Sequence, residues 1–286
     1  MKPVAIVTGA GGLIGSYLVR TAPRWAPEWQ VHGLTRRDLD LADEEAVRRL
    51  WRSVQPQLVI HCAALSRTGT CERDPTLART INVEVTKRLL DLSADIPFIF
   101  FSSDQVFDGV RGWYRETDPV RPLNVYAETK AEAEQLVLEN PRHTVVRTSI
   151  NAGSSPTGDR SFMEELRRVW QSGHAPTLFT DEFRCPIHAT VTARAVWELA
   201  ARNKLGLYHV AGAERLSRWE IGQLLAKRWP GLHPKMVAGS CRDFQGPRRP
   251  PDLSLRCDKL QALLSFRLPG FSEWLASHPD DRFDGQ

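Results

Sequence analysis

The sequence predicts an α/β protein in which a doubly wound parallel sheet is followed by a smaller C-terminal α+β lobe. Three observations support this prediction. Apolar runs alternate with helix-like segments through the first half, and the runs are apolar throughout, as in parallel strands covered on both faces. A glycine-rich turn joins the first run to the first helix. After about Ile150 the chain becomes rich in Gly, Ser, Pro and Thr, which indicates a hinge between two parts.

The first half of the chain reads as alternating strands and helices. Asp43 is the expected N-cap of the second helix, since its carboxylate can accept from the free N–H groups of the first turn. Pro75 opens a long third helix in which apolar residues recur at helical spacing. The expected strands are Val4–Thr8, Val31–Leu34, Leu58–Cys62, Phe98–Phe101 and Thr144–Arg147, and the expected helices are Leu13–Thr21, Glu44–Val54, Pro75–Ser93 and one that carries Tyr126 and Lys130 to about Asn140.

The second half has a different pattern, with fewer strands and longer polar loops. We expect an ordered loop at Gly246–Pro251 and a polar, frayed tail from about Pro279. The other expected elements are helices at Phe162–Gln171, Thr192–Arg202 and Trp219–Arg228, a strand at Leu207–Val210 and a short helix near Asp258–Leu264. We therefore divide the chain into a nucleotide-binding domain (1–150) and a substrate-binding lobe (151–286). Part of the lobe can still complete the sheet of the first domain.

Composition and charge exclude several function classes. The chain is 42% hydrophobic and 25% charged, with a net charge of +4 and no block of like charges beyond Arg248–Arg249, which argues against nucleic-acid binding. The apolar N-terminus is too short for a signal peptide or a membrane span. Five cysteines without a CxxC pair indicate free thiols, a reducing compartment and no zinc site, so we expect a cytoplasmic protein.

The glycine-rich turn predicts a dinucleotide site. Gly9, Gly12 and Gly15 follow the first strand with G-x-x-G-x-x-G spacing, and Leu13 and Ile14 open the helix. The first glycine permits the tight turn, the second lets backbone N–H groups approach a pyrophosphate, and the third lets the helix pack closely on the strand. The alternative is a glycine turn needed for packing alone, but the strand–turn–helix context favours the dinucleotide.

The residues after the second strand favour NADP(H) over NAD(H). NAD sites usually place an acid there for the ribose 2′-hydroxyl, whereas this chain has Arg36 and Arg37. Guanidinium groups bind phosphate in a bidentate manner, so they suit the additional 2′-phosphate. Asp40 is a candidate for the adenine amino group, with Leu41 beside it. The alternative is that both arginines are surface charges that happen to follow a strand.

A serine, a tyrosine and a lysine form the candidate catalytic group. Ser103 ends the apolar run that begins at Phe98, and Tyr126 and Lys130 are four residues apart, on one face of a helix. Together these residues suit proton transfer to or from a carbonyl oxygen. The alternatives are a strand-end cap for Ser103, a helix-start aromatic for Tyr126 and a solvated lysine for Lys130.

Several motifs in this order resemble those of extended short-chain dehydrogenases/reductases. The strongest likeness is to dTDP-4-dehydrorhamnose reductases, followed by the regulatory β subunit of methionine adenosyltransferase, and it covers about the first 150 residues. The motifs are the early glycine turn, His61–Ala64, Ile81–Val83, Ser102–Gly109, Tyr114–Glu116 and Pro122–Lys130, with Arg248–Pro250 and Asp258–Leu260 similar to the C-terminal part of that family.

The resemblance implies an NADPH-dependent reduction of a 4-keto-6-deoxy nucleotide sugar. Tyr126 would donate a proton to the carbonyl oxygen, Lys130 would stabilise the phenolate and hold the nicotinamide ribose, and Ser103 would hold the substrate carbonyl. Ala63 and Ala64 would contact the cofactor. The implied substrate-side residues are Ser103, Asp104, Gln105 and Asn151.

Four positions differ from the usual residues of the family. These differences bear on which substrate is bound more than on which reaction is catalysed. Gln105 replaces a common tyrosine, and an amide cannot exchange a proton usefully, which counts against a dehydratase. The others are His61 for Asn, Ala127 for Gly, and Ile150–Asn151 where a tryptophan is common. An epimerase and a non-catalytic NADP-binding regulatory subunit stay open as alternatives, as does a homodimer. The absence of G-x-S-x-G removes the serine hydrolase reading.

Overall fold

A computed structural model of the protein describes residues 2–281. Its strands are β1 (Val4–Thr8), β2 (Gln30–Leu34), β3 (Leu58–His61), β4 (Phe98–Ser103), β5 (His143–Thr148), β6 (Asn151–Ala152), β7 (Thr177–Phe179), β8 (Phe183–Arg184), β9 (Ile187–His188), β10 (Gly206–Val210), β11 (Leu216–Ser217) and β12 (Val237–Gly239). Its helices are α1 (Leu13–Trp25), α2 (Glu44–Val54), α3 (Thr68–Arg73), α4 (Pro75–Arg79), α5 (Val85–Asp91), α6 (Val125–Leu138), α7 (Phe162–Gln171), α8 (Ala189–Ala201), α9 (Arg218–Arg228), α10 (Asp258–Gln261) and α11 (Phe271–Ser277).

A six-stranded parallel sheet in the order β2-β1-β3-β4-β5-β10 organises the fold, which confirms the predicted fold class. The chain runs from β1 outward to β2 and then crosses back to β3 on the other side of β1. This reversal opens a crevice beyond the carboxyl ends of β1 and β3, where ligands bind in open α/β sheets. The sequence-predicted glycine turn lies at this point.

Both faces of the sheet are covered, which explains why its inner strands are apolar at every position. On β4, Phe98 and Phe100 pack into a core with α2, α5 and α6, whereas Ile99 and Phe101 face the core that contains α1 and α8. Successive side chains of a strand point to opposite faces, so a strand between two helical layers needs apolar residues at each position.

Part of the second half belongs to the main sheet. β10 pairs in parallel with β5, and α8 packs against α1, where the Trp197 indole Nε1 donates to the Leu18 carbonyl at 3.1 Å. The remaining strands of the second half form short pairs: β6 with β9, β7 with β12 and β8 with β11. The pair of β8 and β11 lies near the carboxyl edge of the sheet, because Cys185, after β8, donates its N–H to the hydroxyl of Ser149, after β5.

The long helix expected at Pro75–Ser93 is not one uniform helix. A π-helical turn (Thr80–Glu84) separates α4 from α5, and the helix ends at Asp91. Such a turn inserts one residue into the helix and rotates the side chains that follow. Here it contains the buried Asn82, whose amide bonds both backbone groups of Leu65 and the Thr129 hydroxyl of α6.

Other boundaries differ modestly from the prediction. The helix expected from Thr192 begins at Ala189, and the helix expected at Asp258–Leu264 ends at Gln261. Helices α3 and α11 were not predicted; α3 contains Thr and Gly, which have low helix propensity. The part of the predicted tail after Asp281 lies outside the described residues.

Candidate active site

The glycine turn brings the backbone of three segments into close contact. Gly9 has φ +70°, and a Cβ at this position would lie 2.6 Å from the Ala63 nitrogen. A Cβ on Gly15 would lie 2.4 Å from the Gly9 carbonyl oxygen. Real side chains do not tolerate such distances, so these two positions require glycine. The close approach brings the turn that precedes α1 next to Cys62 and Ala63, directly after β3.

The first turn of α1 is open to an anion. Gly12 is the N-cap and has no side chain that could accept hydrogen bonds from the free N–H groups of the first turn. Leu13 and Ile14 begin the helix, and Leu13 is buried. Unpaired N–H groups and the positive end of the helix dipole suit a pyrophosphate. The backbone of this region thus fits the predicted dinucleotide.

Arg36 and Arg37 lie on an exposed turn after β2. The Thr35 N–H and hydroxyl donate to the Asp38 carboxylate at 2.8 Å and 2.6 Å, and the Arg37 N–H donates to the Thr35 hydroxyl. The Asp40 carboxylate accepts from the Ala42 N–H at 3.0 Å. The two acids therefore stabilise the turn, while the guanidinium groups stand in solvent at the carboxyl end of β2. Leu41 packs partly into the sheet core.

Ser103 and Tyr126 come together at the carboxyl edge of the sheet, and Lys130 lies one turn further along α6. Ser103 is the last residue of β4, and α6 begins at Val125, directly after its N-cap Asn124, whose side-chain oxygen accepts from the Ala127 N–H at 3.0 Å. All three site residues are buried, and the Ser103 hydroxyl is a hydrogen-bond partner of the Tyr126 phenol. The spacing of four residues on α6 puts the tyrosine and the lysine on one helix face.

Burial shifts the pKa of both titratable members of this group. It raises the pKa of Tyr126 well above the usual range of a phenol, although the Ser103 hydroxyl acts in the opposite direction. Burial lowers the pKa of Lys130 to about 7, against the influence of Glu134, which raises it. The Lys130 Nζ lies 3.8 Å from the centre of the Phe100 ring. At neutral pH the phenol therefore holds its proton, and the amine is close to its titration point.

His61 is a bonded core residue beneath the site. Its Nδ1 lies 2.7 Å from the Thr8 hydroxyl, and its Nε2 lies 3.2 Å from the Thr86 hydroxyl. Burial lowers the pKa of His61 to about 3, so the ring is neutral at physiological pH. A neutral imidazole with a partner on each nitrogen ties β1, β3 and α5 together without taking part in proton transfer.

Asp104 is the start of a buried ionic cluster that the sequence did not indicate. Its carboxylate accepts from the Ser103 hydroxyl at 3.2 Å and from the Ser149 hydroxyl at 2.7 Å, and it lies 3.8 Å from Arg184 Nε. Burial raises its pKa, although Arg184 acts against this. Arg184 leads on to Glu182, which also binds Arg218 and Arg249. The only sequence signal for this cluster is the alternation of acid and arginine at Glu182 and Arg184.

Gln105 adjoins a cationic pocket of about 360 Å³. The Asn124 amide lies 3.4 Å from the Gln105 side-chain oxygen and donates to the Arg248 carbonyl at 3.3 Å. The pocket is lined by Asp108, Val110, Leu123, Cys241, Arg242, Phe244, Gly246, Pro247, Arg248, Arg249 and Pro251. Asn124 thus connects the start of α6 with the arginine segment that was noted in the sequence.

Asn151 has a structural role in the second half. Its amide donates to the Thr148 hydroxyl at 2.9 Å and the Ser149 carbonyl at 3.0 Å, and its oxygen accepts from Thr192 at 2.6 Å. These bonds connect β6 to α8. They account for both donors of the amide, so a contact between Asn151 and a substrate stays a prediction.

Two further observations limit the types of site in the described residues. A cavity of about 510 Å³ near Arg111, Trp113, Arg115 and Arg256 is lined by none of the predicted site residues. Within residues 2–281, no group of His, Cys, Asp and Glu could hold a metal ion, and no helix is long and apolar enough to cross a membrane.

Comparisons with known proteins extend over almost the whole chain. The family model for the RmlD substrate binding domain matches residues 3–281. The methionine adenosyltransferase 2 subunit beta of Pongo abelii is 30% identical, over 90% of this chain and 81% of that protein. A probable low-salt glycan biosynthesis reductase of Haloferax volcanii is 31% identical, over 86% of this chain and 88% of that protein.

A solved structure shares the fold. The dTDP-4-dehydrorhamnose reductase of Bacillus anthracis, solved in complex with NADP, superposes with a TM-score of 0.87 and 23% identity. The similarity covers 97% of this chain and 98% of that one. At this identity the comparison concerns the fold, and it includes the second half of the chain as well as the sheet.

Proposed function

This chain belongs to the RmlD substrate binding domain family, and from that premise we propose that it is an NADPH-dependent reductase of a 4-keto-6-deoxy nucleotide sugar. The reaction converts a ketone of the sugar into an alcohol, as in the formation of dTDP-rhamnose or a related deoxysugar. The observation that supports it most directly is the pairing of Ser103 with Tyr126, one helical turn from the buried Lys130, at the edge of the sheet where the glycine turn lies. The names of the Haloferax and Bacillus reductases agree with this class of reaction.

Tyr126 is the proton donor in this proposal. NADPH, when bound, supplies a hydride to the carbonyl carbon, and the developing negative charge on the oxygen takes the phenolic proton. Because burial raises the pKa of Tyr126, the phenol is fully protonated at neutral pH, as a proton donor must be. Ser103 would turn its hydroxyl proton from the Asp104 carboxylate to the same carbonyl oxygen and keep that oxygen beside the phenol.

Lys130 acts on the phenolate that remains. A positive charge near Tyr126 lowers the free energy of the phenolate and therefore the barrier to proton transfer. Burial holds the pKa of Lys130 at about 7 in the absence of the cofactor, so an anionic ligand nearby would favour the charged amine. We expect the cofactor phosphates on the N–H groups of α1, with Arg36 and Arg37 at the 2′-phosphate.

The nucleotide part of the substrate fits the cationic pocket beside Gln105. Arg242, Arg248 and Arg249 line it together with Phe244, and the adjoining Asn124 caps the helix that carries Tyr126. Guanidinium groups pair with a diphosphate, and an aromatic ring can contact a base. The sugar would then extend from this pocket towards Ser103, with Asp104 and Gln105 along its path.

The experiment that tests the proposal is a reductase assay. Purified protein is mixed with NADPH and dTDP-4-keto-6-deoxy sugars, and the loss of reduced nicotinamide is followed. We expect Tyr126→Phe to lower kcat by about 100-fold or more, because it removes the proton donor. Tyr208→Phe, on buried β10, is the matched control and should retain wild-type turnover. Absence of turnover with every such sugar, together with an inert Tyr126→Phe, would refute the proposal.

A regulatory subunit is the second candidate, favoured by the 30% identity to the methionine adenosyltransferase 2 subunit beta. Such a protein would bind NADPH without consuming it, and Tyr126→Phe would change nothing.

An epimerase would convert a nucleotide sugar with no net loss of NADPH. Product analysis in the same assay therefore separates the three functions. A homodimer stays a prediction.

A further inference from the structure

Glu182 is a fully buried carboxylate that binds three arginines. Its side chain is 0% exposed, and Oε1 accepts from Arg218 Nε at 2.8 Å and lies 3.1 Å from Arg184 Nη2. Arg249 binds both oxygens, through Nε at 2.6 Å to Oε2 and through Nη2 at 3.0 Å to Oε1. A two-bond contact of this kind fixes the plane and direction of a guanidinium group.

Arg249 connects this buried centre with the cationic pocket. It lines the pocket, its side chain is 29% exposed, and its guanidinium carbon lies 5.3 Å and 5.1 Å from the ring centres of Phe179 and Phe244. Glu182 therefore holds the inner side of the guanidinium, and the two rings flank it. The edge of the Arg249 guanidinium that does not contact Glu182 is left to face a ligand in the pocket.

The preceding residue, Asp181, holds another part of the lining of the same pocket. The Asp181 carboxylate accepts from the Ser240 hydroxyl at 2.5 Å and the Cys241 N–H at 2.7 Å, and Cys241 lines the pocket. Two consecutive acids after β7 thus fix two walls from behind. At the other end of the ionic cluster, Arg184 donates to the Pro250 carbonyl and lies near the Asp104 carboxylate, which is next to Ser103.

The charge balance leaves the cluster suited to an anion. Arg184, Arg218 and Arg249 are matched by only two carboxylates, those of Glu182 and Asp104. Burial alone would raise the pKa of Glu182, but the three guanidinium groups hold it below the usual range, so this carboxylate is ionised. The lining of the pocket carries three arginines, Arg242, Arg248 and Arg249, against one carboxylate, that of Asp108, so the pocket has an excess of positive charge.

We propose that Glu182 is a positioning residue for anion recognition, which orients Arg249 so that its outer edge binds the diphosphate of the substrate. The inference rests on the proposed nucleotide-sugar substrate, because the diphosphate of that class is the anion concerned. Glu182 itself does not touch the ligand. It acts through Arg249, and its buried negative charge is what keeps that guanidinium in one orientation.

Glu182→Gln should change anion binding in opposite directions, depending on whether Glu182 orients Arg249 or acts only through its negative charge. Removing a negative charge next to three guanidinium groups would strengthen the binding of an anion if charge alone mattered. If Glu182 orients Arg249, the amide can accept from fewer donors and its NH₂ group opposes a guanidinium, so anion binding becomes weaker.

The probe is inorganic pyrophosphate, measured by its effect on the Tm of the full chain without any turnover. We expect Glu182→Gln to weaken pyrophosphate binding about tenfold, and Glu182→Asp, which keeps the charge but shortens its reach, to weaken it less. Glu164→Gln is the matched control: Glu164 is also buried in the second half and bonds the Ser155 and Ser161 N–H groups, so binding should equal wild type. Unchanged or stronger binding in both Glu182 variants, or no effect of pyrophosphate on the wild type, overturns the inference.

A kinetic measurement completes the test where turnover is present. We expect Glu182→Gln to raise the KM for the nucleotide sugar about tenfold, with kcat changed less than about threefold and the KM for NADPH unchanged. A merely structural role would lower the amount of active protein and leave the KM unchanged, which would overturn the inference. Failure of the reductase assay in the wild type would count against the proposed function, whereas the pyrophosphate experiment would still decide on Glu182.

Discussion

Lys130 is a buried lysine whose charge depends on pH. Its side chain is 2% exposed and lies over the Phe100 ring, and burial lowers its pKa from 10.5 to about 7. Between these two pH values the unfolded chain binds a proton that the folded chain does not, so the stability of the protein rises with pH in this window. The cost of burying the charged amine is fully present below pH 7 and is lost towards pH 10.5.

Lys130→Met should therefore stabilise the cofactor-free protein. We expect a gain of about 2 kcal/mol in the free energy of unfolding at pH 6.5, which shrinks as the pH rises to about 10. Urea unfolding at the two pH values measures the gain. Lys87→Met, at an exposed lysine of α5, is the control and should show no such dependence on pH. A gain that stays constant from pH 6.5 to 10 would mean that Lys130 is not the titrating group.

At the scale of elements, the turn after β2 shows how two acids and two arginines divide their roles. Asp38 and Asp40 accept hydrogen bonds from the backbone of the turn and of the segment before α2. Arg36 and Arg37 are exposed on the same turn. The acids closest to the end of β2 thus stabilise the local backbone, and the arginines are the groups available to a phosphate at that edge.

Cofactor choice should depend on this turn. We expect Arg36→Ala to raise the Kd for NADPH about tenfold and to change the Kd for NADH less than about twofold, because only NADPH carries the 2′-phosphate. Isothermal titration with both nucleotides measures the difference. Arg52→Ala, at an exposed arginine in the last turn of α2, should bind both nucleotides as the wild type does. Equal losses for NADPH and NADH would show that Arg36 does not bind the phosphate.

At the scale of the whole molecule, the two halves of the chain share one core. Helix α8 and strand β10 come from the second half, yet they pack with α1 and β5 of the first. Trp197 on α8 is 1% exposed, and its indole bonds the Leu18 carbonyl of α1. A boundary at residue 150 in the sequence therefore does not separate two independent cores.

The chain should accordingly unfold in one transition, and loss of Trp197 should destabilise all of it. We expect Trp197→Ala to lower the free energy of unfolding by about 3–5 kcal/mol, because it leaves a large cavity between α1 and α8. Far-UV circular dichroism and tryptophan fluorescence in urea should give coincident curves. Trp113→Ala, at an exposed tryptophan, should cost less than about 1 kcal/mol. Separate transitions for the two halves would contradict the shared core.

The sequence by itself determined the features that depend on neighbours along the chain. The order of strand, glycine turn and helix at Gly9–Gly15, the strand that ends at Ser103, and the helix face that carries Tyr126 and Lys130 all follow from spacing and residue type within a few residues. Such patterns are local, because hydrogen bonds within helices and turns join residues that are close in the chain. The parallel sheet followed from strands that are apolar at every position, because only strands covered on both faces need apolar residues throughout.

Only the tertiary structure decided which distant segments meet. The return of β10 to β5, the π-helical turn that places Asn82 against Leu65, and the path from Asp104 through Arg184 and Glu182 to Arg249 have no local signature. A buried charge is stable only if its partners are present, and those partners come from whichever segments the packing of the core brings to it. For Glu182 these are residues up to 67 positions away, which is why the cluster beside the proposed catalytic group appears only in the folded chain.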